Sequence, residues 1–440
     1  MSPLATVLKQ ATKRVAPSPA ETAKISGLAR RLLKRTRRTA ERFPEVRGVL
    51  MGGSFAKGTW LPKHVDLDIF VKIDPAAPVE RFEKVGLDIG SSATRGYPMG
   101  KKYAQHPYTE ATVEGVRVNI VPCFAVKVGE WRSAADRSPY HVELVEGLPE
   151  ERKNQIRLLK LFMNGVGVYG AEIQQQGFSG YVAEVLVIEH GSFESVVRWF
   201  ADYNMPASGR IFSLPDPVDE GRDLGIAVSG DSLGRLVLAC REFLRRPSLA
   251  YFGEMKGRVH TSLDESVYAI LFSHTRMSED TLWGELRKTL KHVVRHLEVR
   301  GFAIARAMAA SDNISKSAIL LIPEFTDLPA IEQRVGPTVD RRKDVEAFVS
   351  TNSKQSRLVW VDDDARVRLL RPRRYTHLPD LLEDVIGGKA GPIGASKEIE
   401  DGMKTNGAVL RGRTLARAAS SSTWLRDGIR EITSDAIGTR

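Results

Sequence analysis

Apolar and polar positions change their period along the chain, and the changes mark out its parts. Ser18-Pro19-Ala20-Glu21 reads as a capping box with Pro at the first helical position, opening a helix that runs to about residue 41. Short runs rich in Val, Ile and Leu at 46–51, 65–73 and 116–121 read as strands, the first broken by Gly52-Gly53 and the second ended by Asp74-Pro75. Strands interleaved with helical stretches up to about residue 130 predict an α/β head. From 151 to 200 the period becomes helical. Ile156, Leu159, Leu161, Phe162 and Met163 form one apolar stripe, and Val182, Val185, Leu186 and Ile188 another. A helix over 233–245 carries this helical stretch to roughly residue 255. Another follows at 279–300, then strand-like runs at 318–322 and 358–362, giving an α+β portion. Beyond residue 385 the chain is rich in Gly, Ser and Lys, with Gly387-Gly388 and Gly391-Pro392, so much of that tail is expected to be mobile, with a last helix over 422–432. No internal repeat is visible.

Composition narrows the class. A chain of 440 residues is too long for one ordinary core, and roughly two to four domains are expected. Hydrophobic content of 42% and charged content of 27% are those of a soluble globular protein. No apolar run approaches the roughly 20 residues needed to span a membrane, and Met1-Ser2-Pro3-Leu4 opens no signal-peptide core, so no membrane association and a cytoplasmic location are expected. The two cysteines, Cys123 and Cys240, exclude a disulfide framework and a four-cysteine zinc site. Net charge is +11 and the pI about 9.5, which modestly favours a polyanionic partner. The arginine-rich helix near the start is more often a solvated face than a binding stripe.

The chemistry concentrates in Gly52-Gly53-Ser54-Phe55-Ala56-Lys57-Gly58-Thr59-Trp60 and the following Val65-Asp66-Leu67-Asp68-Ile69. In a strand, residues i and i+2 project from one face, so Asp66 and Asp68 stand together while Val65, Leu67 and Ile69 pack on the other side. Adjacent carboxylates repel unless a cation lies between them, and Mg2+ prefers such hard oxygen ligands together with substrate phosphates. Ser54 and the amides near Gly53 would bind a triphosphate, with Lys57 adding positive charge. An Asp-x-Asp alone is weak and usually a solvated strand edge. A Gly-Ser turn a short way upstream makes the combination that of a nucleotidyltransferase head. Such sites usually draw a third carboxylate from a neighbouring strand, and the residue best placed for it is Asn119.

Further segments narrow the reading: Tyr103-Ala104-Gln105-His106-Pro107-Tyr108, Asn119-Ile120-Val121-Pro122-Cys123-Phe124, and Asp136-Arg137-Ser138-Pro139-Tyr140-His141. So do Arg157-Leu158-Leu159-Lys160, Gly167-Val168-Tyr169-Gly170-Ala171-Glu172 and Gly177-Phe178-Ser179-Gly180-Tyr181, with Asp216-Pro217-Val218-Asp219, Arg222 and Cys240-Arg241-Glu242-Phe243 after them. Together with Gly301-Phe302 and Val335-Gly336-Pro337, these resemble the archaeal-type (class I) CCA-adding tRNA nucleotidyltransferases, from about residue 18 to about 380. The resemblance implies an α+β multidomain fold: a palm-like nucleotidyltransferase head at 1–148, a helical middle domain at 149–260 binding nucleotide and tRNA, and an α+β body and tRNA-gripping tail at 261–440. It implies template-independent addition of C, C and A to tRNA 3′ ends from CTP and ATP, with Mg2+. Asp66 and Asp68 would be the catalytic metal ligands. Gly53, Ser54, Lys57, His141, Lys160 and Tyr169 would meet the incoming nucleotide, and Arg222 would help read its base edge. Each has a plainer alternative: His141 and Tyr169 as packed residues, Lys160 as a solvated lysine, Arg222 as a partner of Asp219 and Glu220.

The family carries Asp where this chain has Asn119. An amide there removes a charge and any base function, a loss that commonly costs on the order of 10²-fold or more in rate. Arg117, on the same strand face, would compete with a metal, and Glu114, ahead of the strand, does not repair the site. Two alternatives therefore stay open beside the active enzyme: a catalytically impaired homologue that binds tRNA and nucleotide, and a nucleotidyltransferase with another acceptor or a signal-oligonucleotide product. A signal synthase has no need of a tRNA-gripping tail. The sequence does not fix the oligomeric state, and a homodimer is left open.

Overall fold

Helix α1 (Pro3–Val15) opens the structure, a computed structural model that describes residues 2–207, 209–253 and 259–435. Helix α2 (Pro19–Ala40) starts where the capping residues predict, with Ser18 Oγ accepting from Glu21 N at 3.1 Å. The reciprocal half of the box is absent: Glu21 turns its carboxylate to the Lys63 amide at 2.9 Å and so ties the helix to the turn before the Asp-x-Asp strand.

The head sheet follows: β1 (Val46–Gly52), the short helix α3 (Gly53–Lys57), β2 (Asp66–Ile73), α4 (Val79–Ala93), β3 (Met99–Tyr103), β4 (Pro107–Val113) and β5 (Val116–Phe124). Strand order is β1-β2-β5-β4-β3, with β2 and β5 parallel and the other pairs antiparallel. The period-2 pattern does what it must. Leu67, Ile69, Val71, Val118 and Ile120 are buried against Leu28 and Leu32 of α2 and Phe82, Val85 and Ile89 of α4. The alternate residues, Asp66 and Asp68 among them, face the other way.

Helices α5 (Ser138–Glu146), α6 (Glu150–Val166), α7 (Gly180–His190) and α8 (Phe193–Ala201) come next, then a hairpin of β6 (Pro215–Asp216) and β7 (Asp219–Asp223), and α9 (Gly230–Arg245). Phe162 centres their core, its ring 5.3–5.9 Å from those of Phe193, Phe243, Tyr251 and Phe252. Helix α1 packs here, through fully buried Ala11 and Val15. Cys123 and Cys240 are both buried and unpaired, and burial pushes the Cys123 thiol up to about 12.

The chain falls into two units, one before residue 258 and one at 258–435. The expected end of the helical stretch near 255 lies outside the described residues, as do the last five residues of the expected tail. The second unit contains β8 (Tyr268–Ser273), α10 (Glu279–Glu298), β9 (Ile304–Ser311), β10 (Lys316–Pro323), β11 (Ile331–Thr338), α11 (Arg342–Asn352), β12 (Leu358–Val361), β13 (Arg366–Pro372), α12 (Leu378–Ile386), α13 (Lys397–Asn406), β14 (Ala408–Arg411), α14 (Gly412–Ser420) and α15 (Thr423–Ile432). One sheet runs β14-β8-β10-β9 and another β11-β13-β12. The expectation of a mobile tail is thus corrected. Strand β14 pairs with β8, and Leu415, Ala419, Leu425 and Ile432 bury apolar faces of α14 and α15 against Ala269, Ala318 and Leu320. No helix of the described residues is long and apolar enough to cross a membrane.

Gly165 of α6 lies against the turn at Leu249–Phe252: a Cβ there would fall 2.2 Å from the Tyr251 carbonyl oxygen and 2.6 Å from that of Gly253. Gly165→Ala is therefore expected to destabilise the protein by about 1–3 kcal/mol, read as a lowered denaturant midpoint at unchanged slope.

Candidate active site

The turn from β1 into β2 is built around one close approach. Gly53 has φ +63°, and a Cβ there would lie 1.9 Å from Asp68 Oδ2, so only glycine lets the turn backbone rest on that carboxylate. Gly58 closes α3 in the left-handed conformation, and the Ser54 carbonyl accepts from Thr59 N at 2.9 Å. Gly53, Ser54, Asp66 and Asp68 are thereby gathered at one end of the head sheet.

Parallel pairing sets Asp66 opposite Arg117 and Asp68 opposite Asn119. Arg117 donates to both oxygens of Asp66, from Nε at 2.9 Å and from Nη2. Asn119 Nδ2 donates to Asp68 Oδ1 at 2.9 Å, which leaves Asn119 Oδ1 buried and without a partner among the described residues. Burial raises the Asp68 carboxyl above the usual range, and neighbouring Asp66 adds to the effect. Glu114 is engaged elsewhere, with Arg31. Among the described residues no group of three or more His, Cys, Asp or Glu side chains is placed to hold a metal ion.

Two polar clusters lie where the head meets the helices. In the first, Lys57 Nζ donates to Glu184 Oε2 at 2.7 Å. Glu184 Oε1 accepts from Lys160 Nζ at 2.7 Å and from Thr59 Oγ1 at 2.6 Å. Lys57, Thr59, Lys160 and Glu184 are all buried. Burial alone would raise the Glu184 carboxyl, but the two lysines overturn that and hold it at about 2. Tyr169 is beside them: its hydroxyl and Lys160 Nζ lie 2.8 and 3.5 Å from where a side chain would begin at Gly180. The second cluster centres on buried Asp216, which accepts from Tyr181 Oη at 2.8 Å and Arg222 Nη1 at 3.1 Å, with His141 Nε2 at 3.3 Å. Burial pushes His141 below the ordinary imidazole value although Asp216 pulls the other way. Tyr181 joins the clusters, its ring stacked on His141 at 3.7 Å and lying 4.7 Å from Lys57 Nζ. His141 is itself set by the preceding loop, where buried Asp136 accepts from the amides of Phe124, Arg132 and Ser133 at 2.7–2.8 Å.

Lys57 and Lys160 thus meet through Glu184, and His141 and Arg222 through Asp216. Neither acid stands out in the sequence as a site residue. A signal for Glu184 is nonetheless present: it is the lone charge inside Val182-Ala183-Glu184-Val185-Leu186-Val187-Ile188, where an unpaired carboxylate would be costly.

A five-stranded head with an Asp-x-Asp strand beside a Gly-Ser turn, joined to a helical layer, is the architecture of a nucleotidyltransferase. The family described as Nucleotidyltransferase domain matches residues 32–141, tRNA nucleotidyltransferase, second domain, matches 154–253, and CCA-adding enzyme, C-terminal domain, matches 264–412. The chain belongs to the CCA-adding enzyme family. It is 35% identical to the CCA-adding enzyme of Pyrobaculum neutrophilum over 407 residues, covering 88% of this chain and 95% of that one. It is 32% identical to that of Halorubrum lacusprofundi, covering 91% and 93%, and 30% identical to that of Methanopyrus kandleri, covering 97% and 96%.

Because folding raises the Asp68 pKa, this carboxylate contributes stability only while protonated, and the contribution is lost as pH rises. Asp68→Asn keeps the acceptor for Asn119 and removes the charge. In EDTA at pH 7 the variant is expected to melt higher than wild type, with a smaller gain at pH 4. A lower melting temperature at pH 7 would count against the geometry.

Proposed function

We propose that this chain adds C, C and A to tRNA 3′ ends, consuming CTP and ATP and needing no nucleic-acid template. The observation that carries the reading is the β2–β5 register, which sets Asp66, Asp68 and Asn119 beside the Gly53-Ser54 turn in a chain of the CCA-adding family. In this reading the Ser54 hydroxyl, the amides near Gly53 and the Lys57 ammonium hold the triphosphate. Tyr169 flanks the nucleotide, His141 and Arg222, oriented by Asp216, face its base and sugar, and Lys160, its donors taken by Glu184 and Thr59, acts from behind them. A tRNA substrate puts the work in the cytoplasm.

The donor set suits a hard divalent cation such as Mg2+: two carboxylates on one face, one of them desolvated, and a buried amide oxygen lacking a partner among the described residues. Asp66, Asp68 and Asn119 Oδ1 would hold it. Such a cation, when bound, polarises phosphoryl oxygens and makes the attacking 3′-hydroxyl more acidic. Arg117 occupies Asp66 meanwhile, and its side chain is 59% exposed, so it is free to swing aside. With Asn119 in place of Asp, no residue from β5 removes the hydroxyl proton. That observation favours a second reading, in which tRNA and nucleotide are bound and turnover is lost.

The second unit supports a tRNA partner by its charge. A cleft of about 240 Å³ is lined by Arg300, Arg334, Arg371, Arg373 and Arg374 around a single carboxylate, Glu332. That excess suits phosphate oxygens.

The decisive experiment incubates the protein with magnesium, labelled CTP and ATP, and tRNA lacking its 3′ end, beside an Asn119→Asp variant. Both are expected to extend the tRNA, the variant faster by about 10²-fold. Extension by the variant alone would sink the active-enzyme reading, and tRNA binding without extension by either would support the second. For the cleft, Arg334→Ala is expected to weaken tRNA binding and to flatten the slope of log K against log salt by about one. An unchanged slope would remove the cleft from the tRNA path.

A further inference from the structure

Of the two lysines that meet at Glu184, Lys57 alone keeps hydrogen-bond capacity among the described residues. An ammonium has three N–H donors. Lys160 directs them at Glu184 Oε1 (2.7 Å), Thr59 Oγ1 (2.9 Å) and the Thr59 carbonyl (3.3 Å), and it is 1% exposed. Lys57 donates to Glu184 Oε2 and lies over the Tyr181 ring, so two of its donors have no acceptor among the described residues in that arrangement. A lysine stem has four rotatable bonds, and nothing covalent fixes where its head rests. What fixes it here is a carboxylate with 1% exposure on α7, held from its other oxygen by Lys160 and Thr59.

We propose that Glu184 is the positioning residue of the nucleotide site: it holds Lys57 with two donors aimed at the triphosphate, while Lys160 and Thr59 lock Glu184 in place. The inference rests on the nucleotidyl-transfer reading above and adds a residue that no motif supplied. Two separate segments converge on the α7 carboxylate of Glu184: the head turn, through Lys57 and Thr59, and α6, through Lys160. The phosphate-facing charge is therefore set by the helical layer and not by the turn that carries it. The cluster also keeps one net positive charge, since two ammonium groups share one carboxylate. Removing Glu184 would leave two buried cations side by side, and Lys57 would lose its anchor.

The test measures triphosphate affinity and extension kinetics separately. For Glu184→Gln, weaker binding of CTP and of ATP by about tenfold to a hundredfold is expected, with a matching rise in KM for both nucleotides. The change in kcat is expected to be smaller and tRNA affinity unchanged. Glu184→Asp, which restores charge with a shorter reach, is expected to recover part of the loss. Lys160 and Glu184 are also replaced together, as K160M/E184M, which keeps an apolar core in place of the buried pair and leaves Lys57 unanchored. Because it strands the Lys57 ammonium and the Thr59 hydroxyl, this variant is expected to melt below wild type; assayed well below its melting temperature, it is expected to bind triphosphate as weakly as E184Q. Wild-type affinity in either folded variant overturns the positioning role while leaving the proposed function intact. A wild-type chain that binds neither CTP nor ATP overturns both.

Discussion

Charge withdrawn from water has to be matched where it lies, and that requirement organises the whole face between the head sheet and the helices. Glu184 is matched by Lys57 and Lys160, and Asp216 by Arg222, Tyr181 and His141. Both clusters join residues distant in the chain, so each fastens the head to the helical layer while orienting groups around a shared space. The head's own carboxylates are served less evenly. Arg117 takes both oxygens of Asp66, but Asp68 has one amide donor and a carboxylate neighbour. The two acids of the buried clusters each have charged partners within hydrogen-bond reach, whereas Asp68 is bonded by a neutral amide and pressed by Asp66. The clusters are held rigid by their own pairing, and the strain of unmatched charge is left at Asp68.

Asn119 bears directly on that imbalance. In parallel register with Asp68 it can only lend a hydrogen bond, and in lending it leaves its own oxygen stranded. A carboxylate at the same register position would repel Asp68 and deepen the demand for metal. The amide relieves the repulsion and quiets the demand. Asn119 thus lets Asp68 be buried without a further negative charge opposite it.

Much of the head is legible because its strands are short-range signals. Alternation across 65–73 by itself puts Asp66 and Asp68 on one face, and β1, β5 and α2 are likewise marked by local pattern. The hairpin of β3 and β4 escapes such reading, since Met99–Tyr103 is exposed along its whole length and carries no buried face to set a period. In the second unit, β9 is built largely from alanine, and β11 contains Gly336 and Pro337, so neither resembles a strand by composition. The tail misleads because its Gly and Ser content outweighs a handful of apolar positions that only packing reveals. Among site residues, single-segment features are readable. Glu184 and Asp216 acquire meaning only through partners far along the chain, and no local spacing encodes that.

The pairing of β14 with β8 has a consequence for biosynthesis. Strand β8 lies between β10, which follows it closely, and β14, which leaves the ribosome long afterwards. Until Ala408–Arg411 emerges, the apolar strand Tyr268–Ser273 presents an open row of backbone donors and acceptors, a ready template for neighbouring nascent chains. Such long-range closure is slow by its topology. The interval before the last strand arrives is therefore when this edge is most open to mispairing.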